Sequence, residues 1–236
     1  MKQSQFYYLL RRGLFSAGSA IIKNGLVMFN KFTTAGLNFP AQGSAEFDGA
    51  SDYIQLPDPF SHTNHTIAAW CYVNDDANQK YIFDNRDATD DGIILGFSNN
   101  ENFYYSVNTA DRITTATFAN EWVFITGTYD GTTQKLYING SVNGTNTTSQ
   151  TISNTTNARI AAQSFSLANY FDGNLANVAI WNRALSSDEI NSVMWKSYEA
   201  LSGAESNGLK AWYSLDDISG SSVPDSSGNG NDGTAN

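Results

Sequence analysis

The run Asp225-Ser226-Ser227-Gly228-Asn229-Gly230-Asn231-Asp232 offers closely spaced oxygens on a Gly-rich, tightly turning backbone. Hard cations need several oxygen ligands from carboxylates, amide side chains and carbonyls, and calcium is the ion this set suits. The EF-hand order is absent, as is its terminal glutamate. The competing reading is a pair of structural turns in which Asp and Asn cap their own backbone. A second set has the chemistry of sugar binding. Tyr104, Tyr105 and Tyr170 are candidate aromatic platforms, and Asn85, Arg86, Asp87 and Asn169 are candidate loop partners. Tyrosines of strand-rich chains also serve as core or cross-strand pairs. Other chemistry is thin. His62 and His65 are the only histidines and fall in the polar, loop-like run SHTNHT. No Gly-x-Ser-x-Gly elbow accompanies them, and no phosphate-binding Gly-rich loop occurs. The single cysteine, Cys71, excludes an intramolecular disulfide and reads as a small buried hydrophobe.

The elements that must position these groups read as strands at short spacing. They are expected at Ala45–Phe47, Tyr53–Leu56, Thr66–Val73, Lys80–Asp84, Gly92–Phe97, Asn102–Val107, Trp122–Tyr129, Gln134–Ile138, Ala158–Ala162, Asn174–Trp181 and Leu209–Ser214. Within TIAAWCYV, alternation puts Ile67, Ala69, Cys71 and Val73 on one face, and Trp70 and Tyr72 on the other. Asp130-Gly131 and Asn139-Gly140 signal hairpin turns, and Asp172-Gly173 reads as a tight turn. Ser186 and Glu189 have capping-box spacing, so one short helix starts there. Ser141–Asn157 reads as an exposed loop or a weak edge strand. Many strands and one late helix imply an all-β, antiparallel two-sheet sandwich of jelly-roll type.

Several stretches carry a family resemblance in a specific order. They are Phe47-Asp48-Gly49 through Pro57, TIAAWCYV, EWVFITGTYDGTTQKLYI closing on Asn139-Gly140, the run Asp172 to Ile190, and Ala211 to Gly233 with its DSSGNGN. Over about residues 37–236 the chain resembles the laminin-G-like branch of the concanavalin A-like lectin/glucanase sandwiches. The last motif commonly opens such a domain but here stands at the end, which implies a circular shift or the stub of a neighbouring repeat. The resemblance implies that the Asp225 loop meets the turn carrying Asp172, and makes Asp172, Asp225, Asn229 and Asn231 the expected calcium ligands. Related glucanases present paired carboxylates as Glu-x-Asp-x-x-Glu. The nearest string here, Glu46-Phe47-Asp48-Gly49-Ala50-Ser51, has serine in place of the second glutamate, so no catalytic residue is assigned and a non-enzymatic protein is expected.

Charge divides the chain. Five of its 13 basic residues, Lys2, Arg11, Arg12, Lys23 and Lys31, precede the first acidic residue, Glu46. The remaining eight face 23 acidic residues, a balance of −15. An acidic body repels phosphates, which argues against nucleic acid there. Residues 1–35 read as a basic, apolar docking arm, with Phe6, Tyr7, Leu10, Arg11 and Arg12 as its contact residues; residues 36–236 read as the sandwich. No stretch is long and apolar enough to span a bilayer. These features fit a virion surface protein of a bacteriophage, oligomeric within its assembly. Its arm docks on other virion proteins and its lectin-like sandwich reaches host-surface glycans. The alternative is an extracellular carbohydrate-binding module or lectin secreted by a bacterium.

Overall fold

The computed structural model describes residues 43–74, 79–98, 102–108, 112–116, 121–153 and 156–236, and the strand backbone of 20–23 and 26–29. Two antiparallel sheets face each other. The seven-stranded sheet takes β3 (Ala45–Asp48), β5 (His65–Val73), β10 (Trp122–Tyr129), β11 (Thr133–Ile138), β12 (Ser141–Thr147), β14 (Asp172–Trp181) and β15 (Leu209–Tyr213). Its order is β12-β11-β10-β5-β14-β15, with β3 on the edge of β14 that β15 also uses. The eight-stranded sheet takes β4 (Ile54–Gln55), β6 (Lys80–Asp84), β7 (Ile93–Phe97), β8 (Asn102–Val107), β9 (Ile113–Ala116), β13 (Arg159–Ile160), β16 (Ser222–Val223) and β17 (Gly233–Ala235). Its order is β16-β17-β4-β13-β6-β7-β8-β9. β17 pairs with β4, so the C-terminal segment completes this chain's own sandwich.

Alternation builds the core. Ile67, Ala69, Cys71 and Val73 face inward as their spacing requires, against Leu95, Phe97, Phe103 and Tyr105 of the other sheet. Burial pushes the Cys71 thiol far up, leaving it an inert apolar group. The opposite face of β5 builds a second core. Trp70, Phe124, Tyr137, Trp181 and Trp212 are buried there beneath the chain from Leu185 to Leu209. That cover is α1 (Ser187–Val193), a 3-10 turn at Tyr198–Ala200 and α2 (Gly203–Ser206). Ser186 and Glu189 form the expected capping box on α1. α2 was not anticipated, although Ser202 and Glu205 carry the same signal and form the same box. Arg183–Glu189 and Lys196–Glu205 ion pairs tie the cover together at 2.7 and 2.5 Å.

Two readings change, and the choice left open at Ser141 falls to the edge strand. Asp172-Gly173 is no turn; it opens β14, opposite Asp48 and Phe47 of β3. Gly173 is required because its φ is +140° and a Cβ would lie 2.0 Å from the Tyr72 carbonyl oxygen. Ser141–Thr147 resolves into the exposed edge strand β12, formed because Asn139 and Gly140 both take positive φ, 50° and 78°, and turn the chain back on β11. His65 is no loop histidine: it opens β5 and is fully buried. Its Nδ1 lies 2.8 Å from the His62 carbonyl oxygen, which can only accept, so Nδ1 carries the proton and Nε2 accepts from the Tyr105 hydroxyl at 2.6 Å. Ahead of the sandwich, β1 (Ala20–Lys23) and β2 (Leu26–Phe29) pair as a hairpin that the sequence reading missed; Asn24-Gly25 between AIIK and LVMF was the available signal. The expected arm contacts Phe6, Tyr7, Leu10, Arg11 and Arg12, and the boundary at residues 35 and 36, lie outside the described residues.

Two expectations follow. Gly173→Ala, strained in φ and clashing with backbone, should lower stability by about 3 kcal/mol or prevent folding, read by urea denaturation. Burial holds His65 down to about 4 from 6.5, so it stays neutral when folded while the unfolded chain takes up a proton. Its stabilising contribution is complete above pH 6.5 and declines on acidification, with on the order of 3 kcal/mol lost near pH 4. His62 shifts in the same direction, through burial first. Urea denaturation between pH 7.5 and 4, with NMR titration of the two imidazoles, checks this; a flat stability profile with His65 titrating near 6.5 would refute it.

Candidate functional site

The Asp225 loop clamps the edge of β15. Asp225 is buried, and its carboxylate accepts from the Trp212 and Ser227 N–H groups, the Asn231 N–H and the Ser227 hydroxyl at 2.8–3.1 Å. Asn229 and Asn231 donate their side-chain amides to the Lys210 carbonyl at 3.2 and 2.8 Å. Asp172 stands elsewhere. It opposes Asp48 at the start of β14, whereas Lys210 lies between residues paired with Ile180 and Trp181 at the other end. At ~3.3 Å per residue the two places are roughly 25 Å apart along the strand. The four expected ligands Asp172, Asp225, Asn229 and Asn231 therefore do not form one site. Among the described residues, no group of three or more His, Cys, Asp or Glu is placed to hold a metal ion. Asp48, which does meet Asp172, serves its own turn: N–H groups of Ser51, Ala50 and Asp52 hold its carboxyl well below the usual range.

The expected sugar ligands divide across the eight-stranded sheet. Tyr105 points into the core toward His65 and cannot be a platform. Asn85 is buried, donating to the Pro59 carbonyl and accepting from the Ile93 N–H, so it braces the chain between β6 and β7. Asp87 accepts from the Thr89 N–H and hydroxyl and the Asp91 N–H, capping the same loop. Tyr104 faces outward but is fully buried, its hydroxyl accepting from Gln79. Strand alternation could not distinguish an outward ring from an accessible one.

Tyr170 stays partly exposed, and what surrounds it is the candidate site. The Tyr53 and Tyr170 rings lie 6.4 Å apart. Arg159 on β13 lies over Tyr53, 5.1 Å from the ring centroid, and its Nε donates to Gln55 Oε1 at 2.9 Å. Arg159 Nη1 donates to the Gln163 carbonyl at 2.6 Å, and Asn169 Nδ2 donates to Gln163 Oε1 at 3.1 Å. These bonds hold the 161–170 loop over the outer sheet face, with Phe165 and Leu167 at its tip 40% and 55% exposed. The buried Asp84–Arg86 ion pair, 3.1 Å, supports the loop from beneath; Asp84 accepts from the Ser164 N–H, and the Ser164 hydroxyl donates to the Arg86 carbonyl. Arg86 and Asn169, expected as sugar partners, thus act as bracing. Tyr53, Gln55 and Arg159 were missed although expected strands contain them, because spacing does not show that β4 and β13 are neighbours with Arg159 opposite Gln55. Aromatic faces, amides and a guanidinium on one surface are suited to stacking on and hydrogen-bonding a sugar ring. A separate shallow depression of about 380 Å³, lined in part by Glu46, Leu215, Asp216 and Ile218, has no aromatic wall.

The family model described as the concanavalin A-like lectin/glucanases superfamily, of laminin-G type, matches residues 48–191. No curated protein matches. Among solved structures, a candidate carbohydrate-binding protein from Bacteroides ovatus superposes with a TM-score of 0.67 at 20% identity, over 82% of this chain and 57% of that one. This chain therefore spans little more than half of that relative. The CBM40 module of a Ruminococcus gnavus sialidase, bound to α2,3-sialyllactose, gives 0.51 at 15% identity, over 64% of this chain and 98% of that one. Domain 4 of a Geobacillus stearothermophilus arabinanase, in complex with arabinotriose, gives 0.51 at 16%, over 64% and 76%. At these identities the likeness is one of fold.

The clamp at Asp225 has a direct test. Asp225→Ala leaves the Trp212, Ser227 and Asn231 N–H groups without their acceptor, and should cost roughly 2–3 kcal/mol. Urea denaturation in chelator, where no cation contributes, should show the full loss.

Proposed function

The chain belongs to the concanavalin A-like lectin/glucanase superfamily, and from that premise we propose that it is a non-catalytic glycan-binding sandwich, carried on a larger particle by its N-terminal arm. The observation that carries this reading is the Tyr53–Tyr170–Arg159 surface, where stacking faces and amides sit together on the outer face of the eight-stranded sheet. The solved relatives support it at the level of fold. The particle in this reading is a bacteriophage virion, and the contact is host attachment. What supports that part is the sequence: five basic and no acidic residues in the first 45, ahead of an acidic body. Calcium enters as a structural ion to be tested, since the Asp225 loop already satisfies its oxygens internally.

A glycan array, run with and without chelator, tests the reading. Binding should appear for at least one glycan class, and Tyr53→Ala with Tyr170→Ala should weaken it about tenfold or more without loss of fold. Absence of binding on any glycan would reject the sugar site. Deletion of residues 1–35 should leave a folded sandwich that no longer joins its particle; a truncated chain that still assembles would reject the docking arm and leave a free-standing lectin. Polysaccharide cleavage by the purified chain, abolished by substituting Glu46 or Asp216 of the shallow depression, would reject the non-catalytic role.

A further inference from the structure

Arginine is distributed unevenly over the sandwich. From Glu46 onward the chain has four arginines, Arg86, Arg112, Arg159 and Arg183. The first three lie on the eight-stranded side, each against an aromatic ring: Arg86 at 5.2 Å from Tyr81, Arg112 at 4.4 Å from Tyr104, Arg159 at 5.1 Å from Tyr53. Their charges are treated differently. Arg86 is neutralised by Asp84 at 3.1 Å and Asp90 at 2.5 Å. Arg159 has no carboxylate partner among the described residues. Its Nε and Nη1 are tied to neutral oxygens of Gln55, Gln163 and, at 3.4 Å, Ser166. These bonds fix the guanidinium plane without cancelling its charge, and Nη2 makes no hydrogen bond to the described residues.

We propose that Arg159 is the acid-recognising residue of the glycan site, and that the ligand is a glycan ending in a carboxylate-bearing sugar. This rests on the glycan-binding reading above. A guanidinium held flat by neutral acceptors is prepaid in conformational entropy and presents its remaining N–H groups to a planar anion. Tyr53 and Tyr170 offer the ring faces on which the sugar's C–H surface lies, and the exposed Phe165 and Leu167 border it from the loop. The acidic body selects against long polyanions, whose further charges would meet its carboxylates. A single terminal carboxylate keeps its charge within the reach of one arginine, while more distant repulsion is screened over ~8 Å at physiological salt.

The experiment uses the full chain and matched oligosaccharides: lactose, sialyllactose, a glucuronate-terminated disaccharide with its glucose counterpart, and sulfated lactose, titrated by calorimetry. The acid-terminated sugars should bind about tenfold tighter than their neutral parents and weaken as salt rises from 50 to 500 mM. Arg159→Gln also loosens the 161–170 loop and so should weaken the neutral parent, but it should erase the acid-over-neutral affinity ratio, and Arg112→Gln should leave that ratio intact. Arg159→Lys, which keeps the charge but loses the fork, should retain only part of it. Circular dichroism and thermal denaturation establish that each variant is folded. Equal binding of neutral and acidic sugars, or an acid preference that survives Arg159→Gln, would overturn the proposal while leaving the glycan site standing. Preference for the sulfated sugar would overturn the choice of carboxylate. No binding of any sugar would remove the proposal together with the reading beneath it.

Discussion

The backbone ladder of β14 is the interaction on which the other layers depend. β5 pairs along one edge of it, while β3 and β15 share the other edge end to end. Removing that strand would leave β5 with an open edge and would detach both the start and the end of the seven-stranded sheet. The ladder has two irregularities, a register shift toward β15 between Ile180 and Trp181 and, against β5, a bulge between Ala176 and Ala179 where Asn177 takes a φ of +48°. There the Asn177 N–H turns to the Ser214 carbonyl beyond β15, so the bulge secures the edge it interrupts. Once β15 is fixed, the Asp225 loop can clamp to it and β17 can reach β4 in the opposite sheet. The terminal motif thereby becomes a cross-sheet fastening.

The two outer faces then diverge. The outer face of the seven-stranded sheet carries Trp70, Trp181 and Trp212, too much apolar surface to leave in water. The helical segment after β14 covers it, and the indoles direct their N–H groups to backbone carbonyls of that cover: Trp70 to Met194 at 3.0 Å, Trp181 to Glu205 at 2.8 Å. That face is committed to stability. The outer face of the eight-stranded sheet is built from Tyr, Arg, Gln and Asn instead, and has a short loop rather than helices above its β4–β13 end. A surface for ligands can therefore be sought there on packing grounds, independently of any relative.

How much of this could be read from the residues depends on the range of the interaction involved. Period-two alternation over eight residues placed Ile67, Ala69, Cys71 and Val73 correctly, and a local Ser-x-x-Glu pattern located α1. The same pattern at Ser202 was there to be read. Failures came where a distant partner decides the outcome. Asp172-Gly173 has the composition of a turn, but β3 and the Tyr72 carbonyl recruit it into a strand. His65 looked solvated until Tyr105, forty residues away, supplied a partner inside the core. The family resemblance alone brings Asp225 and Asp172 together; strand register, which separates them in this chain, is not encoded in spacing. Arg159 was invisible for the same reason: its role comes from Tyr53, Gln55 and the 161–170 loop, none of them near it by periodicity.

The polar groups around Arg159 already bond to one another, and this bears on how such a face would work. Gln55 and Gln163 are spent on holding Arg159 and the loop, so few donors and acceptors remain for a sugar. Order is high and free hydrogen-bonding capacity is low, a combination that gives selectivity with modest affinity. Under the proposed function, affinity need not come from one copy. An arm that fixes many copies to one particle makes each further sugar contact intramolecular, and avidity can exceed single-site affinity by ~10²–10⁴ where the spacing of copies matches that of the glycans. A sparse, rigid, singly charged site and a separate tethering segment are then two parts of one physical solution.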